Sequence, residues 1–104
     1  MNAVVAGPDE HDLAAALESA GADVSRVDVA NRPGLEEAGI VDADVYVLTE
    51  VAQATSISVA KDLEPDLRVV VYADDTLPDF ARGQADLVVD PALLDAATVA
   101  DELT

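Results

Sequence analysis

Short Val-rich runs alternate along the chain with longer stretches whose apolar residues recur every three or four positions, and the alternation predicts a series of strands and helices. Ala3–Ala6 predicts a first strand, stopped by Gly7-Pro8. Asp9 is placed to cap a helix running to about Ala20, with Asp12 at the capping-box position. Leu13, Leu17 and Ala20 share its inner face and Gly21 ends it. Asp23–Val29 predicts a second strand. Pro33 opens a short helix containing Leu35 and Ala38, stopped by Gly39. Val45–Leu48 reads as a third, buried strand. Gln53–Leu63 reads as a helix with Ile57, Ala60 and Leu63 inward and Pro65 beyond its end. Arg68–Tyr72 contains Val69-Val70-Val71, the plainest buried strand. Thr76 is placed to cap a short helix near Pro78–Arg82, and Leu87–Val89 predicts a fifth strand. Asp90-Pro91, an N-cap and first-turn pair, opens a last helix carrying Leu93, Ala97, Ala100 and Leu103.

Strands that alternate with helices predict an α/β fold: one parallel five-stranded sheet, doubly wound by right-handed crossovers and covered on both faces. With no linker or repeat in view, the whole of residues 1–104 is expected to be one domain. Two strand orders satisfy the pattern, 3-2-1-4-5 of a Rossmann half and 2-1-3-4-5 of flavodoxin-like domains. In both, ligands bind at the carboxyl ends of the strands. That directs attention to Gly7–Asp12, Asp28–Arg32, Thr49–Gln53, Tyr72–Asp75 and Asp90.

Charge changes the picture. The 104 residues carry 22 Asp and Glu against 5 Lys and Arg, a net charge of −17, yet 51 % are hydrophobic. Such a chain has the apolar content for a core, which acid-rich disordered segments lack. The acid runs from Asp9 to Glu102 and is not a tail. At low ionic strength it repels itself and destabilises the compact state; at molar salt the screening length falls to about 3 Å and the repulsion is screened. The composition is that of a cytoplasmic protein of a salt-accumulating, haloarchaeal type, so a single Asp or Glu says little about function. The same charge argues against nucleic acid and anionic membranes as partners. No cysteine is present, which excludes disulfides and thiolate chemistry. No basic leader and no apolar run near the ~18 residues of a membrane span is visible, so no membrane insertion is expected.

Leu35-Glu36-Glu37-Ala38-Gly39-Ile40, then Asp42-Ala43-Asp44 and the strand to Thr49, together with Ala60-Lys61-Asp62-Leu63, Pro65, Arg68–Tyr72 and Ala85–Pro91, resemble TrkA-N domains. These are the nucleotide-binding, RCK-type regulatory domains of potassium channels and transporters. The resemblance covers almost the whole chain. It implies a Rossmann order 3-2-1-4-5, a frequent homodimer, NAD(H) or an adenine nucleotide as ligand, and a transporter or other protein as partner.

The site residues implied are Gly7, Asp9, Asp28, Thr49 and Tyr72. Of the family's Gly-x-Gly-x-x-Gly turn only Gly7 is kept; Asp9 and Asp12 stand at the other two places. A pyrophosphate would meet carboxylates where it needs bare amides, and Asp9 is placed to take those amides itself. Asp28 ends the second strand ~20 residues after the turn, where an acid accepts from a ribose. Thr49 matches a family Thr or simply caps a helix. Tyr72 stands where the family has an Arg; it stacks on an adenine or is an ordinary core aromatic. Arg32 is either a phosphate partner or, preferably, an exposed arginine in an acidic field.

Other chemistries have less support. His11, the only histidine, lies among Asp9, Glu10 and Asp12, a weak metal pattern, and no nucleophile elbow accompanies Ser19, Ser25, Ser56 or Ser58. A phosphotransfer receiver shares the size, strand count and acidic first turn. It needs an Asp at the end of the third strand, where Leu48-Thr49 stands, and a Lys after the fifth, where Asp90-Pro91 stands. The expectation is a non-enzymatic nucleotide-binding or regulatory module with a degenerate phosphate turn. The alternatives are a scaffold that has lost the nucleotide and serves protein interaction, or, with less support, a small nucleotide-dependent enzyme.

Overall fold

Each Val-rich run forms a strand, as a computed structural model describing residues 1–104 shows. The strands are β1 (Asn2–Ala6), β2 (Asp23–Val27), β3 (Val45–Leu48), β4 (Arg68–Tyr72) and β5 (Leu87–Val89). All pair in parallel, in the order β2-β1-β3-β4-β5. This is the flavodoxin-like order and not the Rossmann order implied by the resemblance. The reason lies in the side chains. A Rossmann half would make β3 an edge, but all four residues of Val45–Leu48 are buried, which requires a strand on either side. β2, with Asp23, Ser25 and Arg26 exposed, tolerates the edge.

Alternate residues of the strands feed two cores. Val4, Ala6, Tyr46, Leu48, Val69 and Val71 point to one face of the sheet, where α2 (Arg32–Glu37) and α3 (Ser56–Leu63) bury Leu35, Ile57 and Ala60 against them. Val5, Val45, Val47, Val70 and Tyr72 point to the other, against Leu13 and Leu17 of α1 (Leu13–Ser19) and Val99, Ala100 and Leu103 of α5 (Ala96–Leu103). The remaining helix, α4 (Asp79–Arg82), is one turn, and single 3-10 turns lie at Ile40–Asp42 and Val51–Gln53. The buried hydroxyls of Tyr46 and Ser56 satisfy each other at 2.8 Å. Burial pushes the Tyr46 phenol up to about 12.

Helix starts depart most from the sequence pattern. α1 begins at Leu13, after Asp12 has taken a left-handed conformation at φ 57°, and Asp12 makes no capping bond. α3 begins at Ser56, behind the 3-10 turn that contains Gln53. The last helix begins at Ala96, not at Asp90-Pro91. Its cap is Asp95, which accepts from the Thr98 amide at 2.8 Å, whereas Asp90 accepts from Ala92 in a preceding turn. Leu93 therefore lies outside the helix and is exposed. α2 is capped by Asn31, with Pro33 in its first turn.

Candidate functional site

The carboxyl ends of β1, β3 and β4 enclose a cavity of about 240 Å³, lined by Pro8, Asp9, Glu10, His11, Thr49, Glu50, Tyr72, Ala73, Asp74, Asp75 and Pro91. Chain reversal after β1 depends on Gly7. It has φ +93°, and a Cβ there would lie 2.7 Å from Thr49 Oγ1 and 3.1 Å from Glu50 Cβ. Its amide donates to Val27 O at 3.0 Å, and its carbonyl accepts from Arg26 Nη2 at 3.1 Å. The Thr49 hydroxyl faces the carbonyls of Ala6, at 3.0 Å, and of Pro8, so it laces the end of β3 to the β1–α1 turn.

Asp9 folds back over the start of α1. Its Oδ1 accepts from the Leu13 amide at 2.8 Å and its Oδ2 from the Ala14 amide at 3.1 Å, with the Arg26 guanidinium 3.8 Å away. The first free amides of the helix are thus occupied by a carboxylate of the chain itself, in the place where a bound anion would sit.

Tyr72 is a core residue, 2 % exposed. Its hydroxyl donates to Leu94 O at 2.8 Å, and the His11 ring meets it edge to face at 5.8 Å between centroids. Burial, together with the charges of Asp95 and Asp9, pushes the phenol up. With its hydroxyl tied and His11 against its ring, it belongs to the wall of the cavity.

Of the residues singled out in the sequence, Gly7, Asp9, Thr49 and Tyr72 converge here. Asp28 does not: it is exposed, in a separate shallow depression with Arg26, Val29, Gly34 and Glu37. Arg32 pairs with Asp62 at 2.6 Å on the surface. No group of His, Asp and Glu is arranged to hold a metal ion. Gln53 carried no motif, yet its side chain joins two loops of this end. Nε2 donates to Asp28 O at 3.1 Å and to Glu50 Oε2 at 2.9 Å, and Oε1 accepts from the Ala30 amide at 2.7 Å. Only an amide, with donors and an acceptor on one head, can do this.

Strand order and cleft together define a flavodoxin-like, doubly wound α/β domain. The chain belongs to the family of unknown function DUF7126, whose model matches residues 3–103. No curated protein matches it. Among solved structures it is similar to a Burkholderia pseudomallei protein provisionally described as pilus assembly-related. That match has a TM-score of 0.69 and 22 % identity, and covers 99 % of this chain and 86 % of the other. It is similar also to a protein provisionally described as the pilus assembly protein cpaE of Burkholderia thailandensis, with a TM-score of 0.69, 20 % identity, and 99 % and 94 % covered. At this identity the likeness shows the fold alone. The resemblance to TrkA-N domains is thereby corrected. The matching family is a different one, the structural neighbours are not such domains, and the strand order is not theirs. The short motifs that carried it, such as Ala85–Asp90, fall on short strands and their turns, which both strand orders contain. The link to potassium transport falls with it. No helix is long and apolar enough to cross a membrane.

Proposed function

We propose that the chain is a non-enzymatic protein-interaction domain on a flavodoxin-like scaffold whose ligand cleft no longer takes a phosphate. One observation carries this reading: the Asp9 carboxylate accepts from the Leu13 and Ala14 amides. A nucleotide phosphate would have to displace it and then sit among Glu10, Glu50, Asp74 and Asp75. Each like-charge contact at ~4 Å costs about 1 kcal/mol in water and more in a cleft. Asp28, the candidate ribose partner, lies outside the cavity. Thr49, at the end of the central strand, has no carboxylate to phosphorylate, and its hydroxyl is tied to the β1–α1 turn.

Thermal unfolding in ~2–3 M KCl, with and without NAD, NADH, ATP, ADP, AMP and cyclic AMP, tests the proposal. A ligand at 100 times its Kd adds about 2.7 kcal/mol, which moves the melting point of a domain this size by several degrees or more. The expected result is no shift with any of them. A shift with any of them would restore nucleotide binding and overturn the proposal, whether or not Asp28→Ala abolishes it.

A further inference from the structure

The sheet has two open edges of opposite character. β2 presents Asp23, Ser25 and Arg26, and charged side chains on an edge prevent pairing with foreign strands. β5 is Leu87-Val88-Val89, with no charge in it, and is hydrogen-bonded to β4 alone. Val89 O accepts from the Ala73 amide at 3.1 Å. Backbone groups of successive strand residues point to opposite sides, so the N–H and C=O of Val88 face away from β4. Its side chain is 49 % exposed.

Charge decides what fits this edge. A second copy paired antiparallel about Val88 would exchange two hydrogen bonds. It would also set Asp86 of each strand opposite Asp90 of the other, and like charges opposed across paired strands destabilise. Asp86 keeps 45 % of its side chain exposed despite its pairing with Lys61 at 3.2 Å. A strand with basic residues at those two positions meets complementary charge at both.

We propose that the outer edge of β5 docks an extended segment of another protein by strand addition. The segment sets one apolar residue against Val88 and a Lys or Arg two positions to either side. This rests on the protein-interaction reading above and names the partner's chemistry.

The test uses the isotopically labelled chain at the lowest KCl concentration that keeps it folded. The probes are two synthetic peptides, Thr-Lys-Thr-Val-Thr-Lys-Thr and the same sequence with Glu for Lys. The expected result is amide shifts at Leu87–Val89, with the Lys peptide binding at least about tenfold more tightly. Val88→Pro removes the outward N–H together with the valine side chain and leaves the ladder to β4. It should weaken binding at least about tenfold while the chain still unfolds cooperatively. Equal binding of the Glu peptide, no shift with either peptide, or indifference to Val88→Pro would overturn the proposal. So would sedimentation showing a dimer that Val88→Pro abolishes, which makes a second copy the occupant. Shifts confined to Asp9, Thr49 and Tyr72 would also overturn the edge and leave the interaction reading standing. That reading falls separately, on a nucleotide-induced melting shift.

Discussion

Gly7 and Thr49 occupy each other's space: a Cβ on the glycine would sit 2.7 Å from the Thr49 hydroxyl oxygen that ties the end of β3 to the β1–α1 turn. Gly7→Ala should therefore cost more than its backbone strain of about 1–3 kcal/mol. Gly21→Ala is the control, since Gly21 has φ +98° and nothing within 4 Å of a Cβ. In denaturant unfolding Gly7→Ala should be the more destabilising of the two. Thr49→Ala should recover part of the excess in a double-mutant cycle. Equal losses at the two glycines would show that contact with Thr49 is not what limits the turn.

Asp9→Ala removes the side chain that serves the Leu13 and Ala14 amides. Loss of a capping carboxylate costs about 0.5–2 kcal/mol. Chemical unfolding in molar KCl should show a loss in that range. A variant as stable as the parent would mean that water serves those amides equally well.

Tyr46 and Ser56 form a closed buried pair. Tyr46→Phe leaves the Ser56 hydroxyl without its partner and should cost about 1–3 kcal/mol. Adding Ser56→Ala should return part of that loss, because no orphaned group remains. Additive losses in equilibrium unfolding would contradict the pairing.

Asp86 is held below the ordinary carboxylate range, first by the Val69 amide that donates to it and then by Lys61. A carboxyl depressed in the folded state stabilises it above the unfolded-state value and loses that contribution as pH falls through the folded one. With surface repulsion screened by molar KCl, stability should decline on acidification through and below about pH 4. Asp86→Asn should flatten the decline. An unchanged pH profile in the variant would exclude Asp86 as a contributor.

Net charge makes salt the largest lever of all. At −17 the folded chain should gain stability steeply as KCl rises from about 0.1 M toward 2–3 M. A melting point independent of KCl over that range would refute adaptation to molar salt.

Much of this architecture was open to inspection in the residues themselves. β3 and β4 fall where continuous Val-rich runs place them, because a strand buried on both faces has no competing pattern, and the half-exposed β5 follows its Leu-Val-Val run. Strand order stayed open between two arrangements; the contrast between Asp-Val-Ser-Arg-Val and Val-Tyr-Val-Leu favours the observed one, while the family resemblance pointed to the other. Helix starts were less legible, since Asp9 and Asp12 compete at α1 and Asp90 and Asp95 at α5. Asp95, three residues before Thr98, wins over Asp90 only because Leu93 and Leu94 stay outside the helix. At the site, Gly7 and Thr49 meet because β1 and β3 are neighbours, a fact of the order rather than of either motif. Asp28 drops out because β2 lies on the far side of β1, away from β3 and β4. Gln53 lay at the edge of the Thr49–Gln53 segment that the strand ends pointed to, but nothing marked its amide, since a side chain in a 3-10 turn follows no periodicity.

The Asp9 carboxylate also acts as an intramolecular competitor. Covalently attached four and five residues from the amides it occupies, it competes at an effective concentration of about millimolar or more, which a dissolved phosphate of equal affinity would have to exceed. On the proposed reading, phosphate and nucleotide pools would rise and fall without this domain responding, and its partners would be proteins that meet its outer surface.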